Sequence, residues 1–212
     1  MGVIRSGIFS GVSGKVGGVV GGRWKDKSYF REFVRPANPN TTPQQTQRGK
    51  MRIGVAFAKA LVGQVFNKYT DKFERSMTGF NRFIKDNMAL FLSPITYASI
   101  KMTNGKLWAP TTVVSEYNVN KIQATFSATD FGNNGAGTDK IYAVAYYTTN
   151  GLWHFAAAET LRSSGAIEIP MPTGLTAANM KFYIWAAKYS ATSPTLLEMI
   201  SNSVFDQTTL HA

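Results

Sequence analysis

Apolar positions change their spacing several times along the chain, and each change predicts a different element. From Met1 to Trp24, valines and isoleucines are scattered among glycines, with eight of the 19 glycines inside the first 22 positions. A stretch so short of side chains loses much backbone entropy on ordering, and it gains order by lying against other surface, of its own domain or of a neighbouring subunit. An extended or hairpin arm with packing and assembly roles is expected. Between Arg23 and Arg35, basic and aromatic residues interleave, as Trp24, Lys25, Lys27, Tyr29, Phe30, Arg31 and Phe33. A period of two predicts a half-buried strand with rings toward a core and charges toward water. The same interleaving serves single-stranded nucleic-acid platforms, where bases stack on rings while cations follow phosphates.

The period then lengthens. Thr42 suits a helix cap, Pro43 the first helical position, and Gln45 stands three after Thr42 as a capping box requires. Met51, Val55, Ala58, Val62, Val65 and Phe66 recur at three- and four-residue steps, an amphipathic helix weakened by Gly49, Gly54 and Gly63. A better stripe follows in Phe73, Met77, Phe80, Ile84, Met88 and Phe91, opposite Asp71, Lys72, Glu74, Arg75, Arg82, Lys85 and Asp86. It should stop near Ser93-Pro94. Joined through Asn67 to Thr70, the two helices would form an antiparallel hairpin.

Beyond Pro94 the period shortens again. Asn104-Gly105 between Ile100-Lys101-Met102 and Leu107-Trp108 predicts a tight β-hairpin. Strands are expected at 113–119, 121–128, 140–148, 152–158, 166–169, 181–188 and 196–205, punctuated by Asn133-Asn134-Gly135, Asn150-Gly151, Ser163-Ser164-Gly165 and Pro172-Thr173-Gly174. Seven short strands within about 100 residues describe an immunoglobulin- or fibronectin-like sandwich, with Phe126, Trp153, Tyr183 and Trp185 in its interior. The fold class is therefore α+β, comprising an extended glycine-rich β arm, a helical hairpin and a C-terminal β-sandwich. The expected domains are 1–42 for the basic arm, 43–93 for the two helices, 94–110 for the hairpin and linker, and 111–212 for the sandwich.

Composition adds a foldable core and removes much chemistry. The 212 residues are 44% hydrophobic and 13% aromatic, enough to bury an interior. No cysteine and only two histidines are present, which excludes disulfides, thiolate nucleophiles and sulfur-ligated metals. His154 lies within an apolar strand and His211 at the chain end, so neither makes a persuasive base. The 12 carboxylates show no metal-binding spacing. A phosphate-binding loop fails at Gly14-Lys15, because Phe9 stands where glycine is needed and Val16 where Ser or Thr is needed. No catalytic, metal or cofactor residues are predicted, and an enzyme is not expected. Arg5, Lys15 and the glycines interrupt every apolar stretch near the N-terminus, so neither a signal peptide nor membrane insertion is expected.

Charge is distributed unevenly within the net +11. Met1 to Arg52 holds ten basic residues against two acids, a balance of +8, and the sign reverses to −2 over Thr111 to Ala212. Such polarity suggests one end facing a polyanion or an acidic partner.

The run Gly7-Ile8-Phe9-Ser10-Gly11-Val12-Ser13-Gly14-Lys15-Val16-Gly17-Gly18-Val19-Val20-Gly21-Gly22-Arg23-Trp24-Lys25, with Asn38-Pro39-Asn40-Thr41, Gln44-Gln45, Gln47-Arg48 and Lys50, is distinctive. Together with a sandwich closing on Ser201-Asn202-Ser203-Val204-Phe205, it resembles an uncharacterised domain-of-unknown-function family of gut Bacteroidota and their phages, crAss-like phages included. The likeness covers nearly the whole chain. It implies a structural virion protein of a tailed phage, a neck or tail ring or capsid-associated subunit. Such a subunit would form a homo-oligomer and contact portal, tail or capsid proteins within the virion, with DNA a further candidate partner. The expected anchoring surface is Lys15, Arg23, Trp24, Lys25, Tyr29, Arg31, Arg48 and Arg52. One alternative is a nucleic-acid-binding protein that uses the same basic half. Another is a surface adhesion module, which would need Tyr147 and Trp153 exposed.

Overall fold

Two units emerge from the contacts in a computed structural model of the chain, Met1–Thr42 and Pro43–Ala212. The structure describes residues 2–4, 13–24, 27–35, 37–73, 77–92, 94–193 and 195–210. In the first unit, β1 (Gly2–Ile4), β2 (Gly14–Val16), β3 (Val19–Trp24) and β4 (Lys27–Glu32) make an antiparallel sheet in the order β1-β4-β3-β2. The two-residue turn Gly17-Gly18 joins β2 to β3.

The second unit begins with α1 (Thr42–Ala58), which runs on through a 3-10 turn at Lys59–Leu61 into a π-helical stretch at Val62–Thr70. Asn67 to Thr70, expected to be a loop, therefore belong to the helix. The Asp71 N–H reaches back five residues to the Phe66 carbonyl at 2.9 Å, and the Thr70 hydroxyl donates to the same oxygen at 3.1 Å. These bonds widen the helix where a turn was expected. The next helix, α2 (Gly79–Asn87), is shorter than its stripe predicts. Thr78 caps it by accepting from the Asn81 N–H at 3.3 Å, and the Gly79 N–H donates to the Asp71 carboxylate. Phe73 is left outside the helix at 40% exposure, while Phe83 and Ile84 are buried.

The sandwich follows as β5 (Val114–Asn118), β6 (Lys121–Thr125), β7 (Lys140–Tyr147), β8 (Leu152–Phe155), β9 (Thr160–Leu161), β10 (Ala166–Pro170), β11 (Met180–Tyr189), β12 (Leu197–Ile200), β13 (Val204–Gln207) and β14 (Thr209–Leu210). One sheet is ordered β10-β6-β5-β14 and the other β12-β11-β7-β8, with β13 also on β11 and β9 on β7. Every pair is antiparallel except β14, which lies parallel to β5. The fold is mixed α+β, a β-sandwich with a helical element, as the patterning predicts.

Burial along the strands shows how the layers stack. β6 and β10 alternate buried and exposed residues, the mark of a sheet wet on one side. β7 and β11 are buried on both faces. One face of this central pair, Tyr142, Tyr146 and Trp185 with Trp153 of β8, meets the helical segment. Phe57 of α1 sits 4.8 Å from the rings of Tyr146 and Trp153, and Tyr69 sits 5.3 Å from Trp185 and 5.5 Å from Tyr142. The Trp153 indole N–H donates to the Phe57 carbonyl at 2.9 Å. The helices thus form a third layer over the β7–β11 sheet.

The hairpin expected at Asn104-Gly105 does not form. Ile100 to Leu107 instead runs beside the junction of β12 and β13. Met102 N–H donates to Ser203 Oγ (2.8 Å), the Thr103 hydroxyl to the Ser201 carbonyl (2.9 Å), Gly105 N–H to Asn202 Oδ1 (3.1 Å) and Leu107 N–H to the Ile200 carbonyl (3.0 Å). These tertiary partners replace the hairpin's own ladder. Glycine at 105 serves a close approach rather than a turn, since a Cβ there would lie 1.9 Å from the Ile200 oxygen. The single strand expected at 196–205 is likewise divided, because Ser201 to Ser203 are turned toward this neighbour.

Candidate interaction surface

In an antiparallel pair, residues directly opposite share a face and alternate residues change face. Lys15 stands opposite Val20, which stands opposite Arg31, and Gly22 stands opposite Tyr29. Lys15, Tyr29 and Arg31 therefore occupy one face. Arg23, paired with Ser28, belongs to the other face, with Val16, Val19 and Phe30. The candidate set is thus split by register. Trp24 ends β3 opposite Lys27, and Lys25 lies outside the described residues.

Rings and charges do not separate between the faces as the alternation predicts. Tyr29 and Phe30 are half-buried on opposite sides. On the first side, Lys15 Nζ stands 3.8 Å from the centre of the Phe33 ring, a cation–π contact. Tyr29 lies across Gly22, where a Cβ would come within 3.0 Å of the phenol. On the second side, Val16 and Val19 are 69% and 44% exposed. Across residues 13–23, 27–35 and 37–42 of this unit no side chain is buried; only the glycine at 21 is. Arg48 and Arg52 belong to the second unit and are exposed on α1 ahead of its earliest buried residue, Gly54.

The model of a family of unknown function, DUF6266, matches residues 11–194, nearly the whole chain. The chain belongs to the DUF6266 family. A search of curated proteins finds no match.

The DUF6266 chain also holds two polar centres that sequence patterning missed, one half-buried and one buried. Glu159 accepts hydrogen bonds from the hydroxyls of Tyr69 and of Tyr189 (2.7 Å), with Lys68 at 3.0 Å and Lys140 at 3.5 Å. Burial pushes the carboxyl upward, but the bonds from Tyr69, Tyr189 and Lys68 outweigh it and hold Glu159 below the usual range. Burial and the same carboxylate push the Tyr69 and Tyr189 phenols up. This centre ties the π-helical stretch to the sandwich. The second is Arg162, fully buried, whose guanidinium donates to the carbonyls of Trp108 (2.8 Å), Ala109 (3.0 Å) and Asp130 (2.9 Å). Charged groups so far apart in sequence carry no local signal. The protein itself supplies the partners of Glu159 and of the two terminal nitrogens of Arg162, while Arg162 Nε has no hydrogen-bond partner; both centres tie separate segments of the second unit together.

Tyr147 and Trp153 are 7% and 9% exposed, so these two rings are not the exposed aromatics that the adhesion alternative calls for. Burial lowers the pKa of His154, and its Nε2 has no hydrogen-bond partner. Among the described residues no three His, Asp or Glu side chains gather in a way that could hold a metal ion, and no helix is long and apolar enough to cross a membrane.

Proposed function

We propose that this chain is a non-enzymatic structural subunit, built to assemble with copies of itself and with other proteins of a tailed-phage particle, as part of a neck or tail ring or on the capsid. One observation carries the assembly role. The sandwich unit has a complete core from Phe57 to Ile200, whereas in the N-terminal sheet no side chain is buried across residues 14–23 and 27–32. Small sheets become stable when an apolar face is covered. Val16 and Val19, paired across β2 and β3 on the face that also holds Phe30, Arg23 and Glu32, form an exposed apolar patch for such a cover. A neighbouring subunit supplies the cover. The resemblance of the glycine-rich run to phage-encoded proteins supports the virion setting.

Native mass spectrometry of the full chain over a range of concentrations, combined with amide hydrogen exchange, tests the assembly role. Self-association should protect the amides of residues 14–32, and the double substitution V16E/V19E should abolish both effects while leaving the unfolding of the sandwich unit unchanged. A wild-type monomer with slow exchange across β2 to β4 at the lowest concentration would refute the assembly role. Mass spectrometry of purified particles that lack the chain would remove the virion setting alone.

A further inference from the structure

We propose that the Lys15–Arg31 face of the N-terminal sheet binds single-stranded nucleic acid. This goes beyond the assembly role, which uses the Val16–Val19 patch on the opposite face, and it stands or falls separately.

Along β4, alternation puts Lys27, Tyr29 and Arg31 on one side at steps of about 6.8 Å. The pairing carries on past the strand, since the Phe33 N–H donates to the Gly18 carbonyl at 2.8 Å, and Phe33 joins the same side, where it meets the Lys15 ammonium. The face therefore reads cation, ring, cation, ring, with a further cation from β2 alongside. Lys15, Lys27 and Arg31 are exposed, Tyr29 is half-buried, and Phe33 is 38% exposed. Glu32, the only acid among the described residues of the sheet, lies on the opposite side. Gly22 gives Tyr29 room to lie flat across the sheet, because a side chain there would lift the ring.

Three positive charges without a negative one make the face complementary to a polyanion. The rings narrow the choice. A duplex offers phosphates but keeps its bases stacked inside, whereas a single strand presents free base faces for Tyr29 and Phe33 while Lys15, Lys27 and Arg31 follow its phosphates. An acidic protein would use the cations and leave the rings idle.

The test is fluorescence anisotropy of the full-length chain with a labelled oligothymidylate of about 20 nucleotides, and with a duplex of equal length, across a salt series. Three phosphate contacts predict a slope of log K against log salt near −2, at about 0.7 per contact. Lys15→Gln with Arg31→Gln should reduce this slope to about one-third, and Tyr29→Leu should weaken binding about ten-fold with the slope kept. Arg23→Gln, on the opposite face, should change affinity less than about two-fold, and the duplex should bind at least about ten-fold more weakly. The proposal is overturned by undetectable binding at low salt, by equal losses from Arg23→Gln and Arg31→Gln, by duplex binding as tight as the single strand, or by polyglutamate competing as well as the oligonucleotide. Because Lys15→Gln and Arg31→Gln leave Val16 and Val19 untouched, self-association measured on the same variants separates this result from the assembly role.

Discussion

Replacing Arg162 with methionine is the sharpest probe of how the sandwich is held. Arg162 opens the 3-10 turn after β9, and its fully buried guanidinium gathers the carbonyls of Trp108, Ala109 and Asp130, with the Asp139 carboxylate 4.0 Å away. It thereby fixes the segment that leads into β5 against the turn beyond β6. Methionine keeps most of the aliphatic volume but removes every donor. Each buried carbonyl left without a partner costs about 1–3 kcal/mol, though those near the exposed Trp108 indole regain water. Removing one member of a buried charge pair costs about 3–5 kcal/mol in all. A loss of about 3–4 kcal/mol follows.

The pH dependence separates lost hydrogen bonds from a stranded charge. Burial raises the Asp139 carboxyl above its usual range, against the opposing pull of the Ala136 N–H and of Arg162. Without Arg162 it rises further. A carboxyl whose folded pKa is raised weakens the fold above its unfolded value of about 3.9, and the penalty is relieved as pH falls and the folded state takes up a proton. Urea unfolding of R162M, followed by circular dichroism, should therefore show a smaller deficit at about pH 4.5 than at pH 7. A deficit under about 1 kcal/mol at pH 7, or one that grows on acidification, would refute the role assigned to Arg162.

Gly105→Ala places a Cβ against the Ile200 carbonyl and should cost about 2–3 kcal/mol in thermal or urea unfolding as the 100–107 segment is forced away from β12; a neutral effect would mean that this contact is loose. Glu159→Gln should lose about 1–3 kcal/mol at pH 7. Since the wild-type carboxyl is held below its usual pKa, its stabilisation is present above the unfolded value and disappears as pH falls through the folded one. The two proteins should converge below about pH 4, and a constant gap would argue against the charge. His154, its pKa depressed by burial, stabilises the fold fully above its ordinary 6.5 and loses that contribution as pH falls below it. His154→Gln should flatten stability between about pH 7 and 5, and a wild-type protein that gains stability over this range would contradict the burial of the imidazole.

Strand positions in the sandwich were readable because β6 and β10 alternate in the plain manner of half-wet strands, and because Gly-containing turns separate them. The helical layer was not. Its helices could be seen, but their partner could not, and the clue lay in the strands themselves. Ile141 to Tyr147 and Phe182 to Ala187 are apolar without alternation, the pattern of strands covered on both sides. That run calls for a third layer to meet Tyr142, Tyr146 and Trp185, and Phe57 and Tyr69 supply it. Asn104-Gly105 misled for the converse reason: its local turn preference is worth less than the four tertiary hydrogen bonds made with Ile200, Ser201, Asn202 and Ser203.

The N-terminal sheet carries this lesson into function. In sequence, Arg23 and Arg31 are equivalent members of one basic run, and only pairing separates them. A shift of one residue between β3 and β4 would exchange the faces of one strand, moving Tyr29 and Arg31 to the side of Val16 and Val19. Register is held weakly in glycine-rich strands that have no core to choose a side, and here no side chain of residues 14–23 or 27–32 is buried to choose it. The two-residue turn Gly17-Gly18 fixes β2 to β3, while the contact of Tyr29 on Gly22 fixes which side carries the Tyr29 ring. The valine-bearing face and the cationic aromatic face therefore depend on the same turn and the same close approach. A bulky residue at 22, such as Gly22→Val, should disturb self-association and oligonucleotide binding together, although the substitutions V16E/V19E and Lys15→Gln with Arg31→Gln separate them.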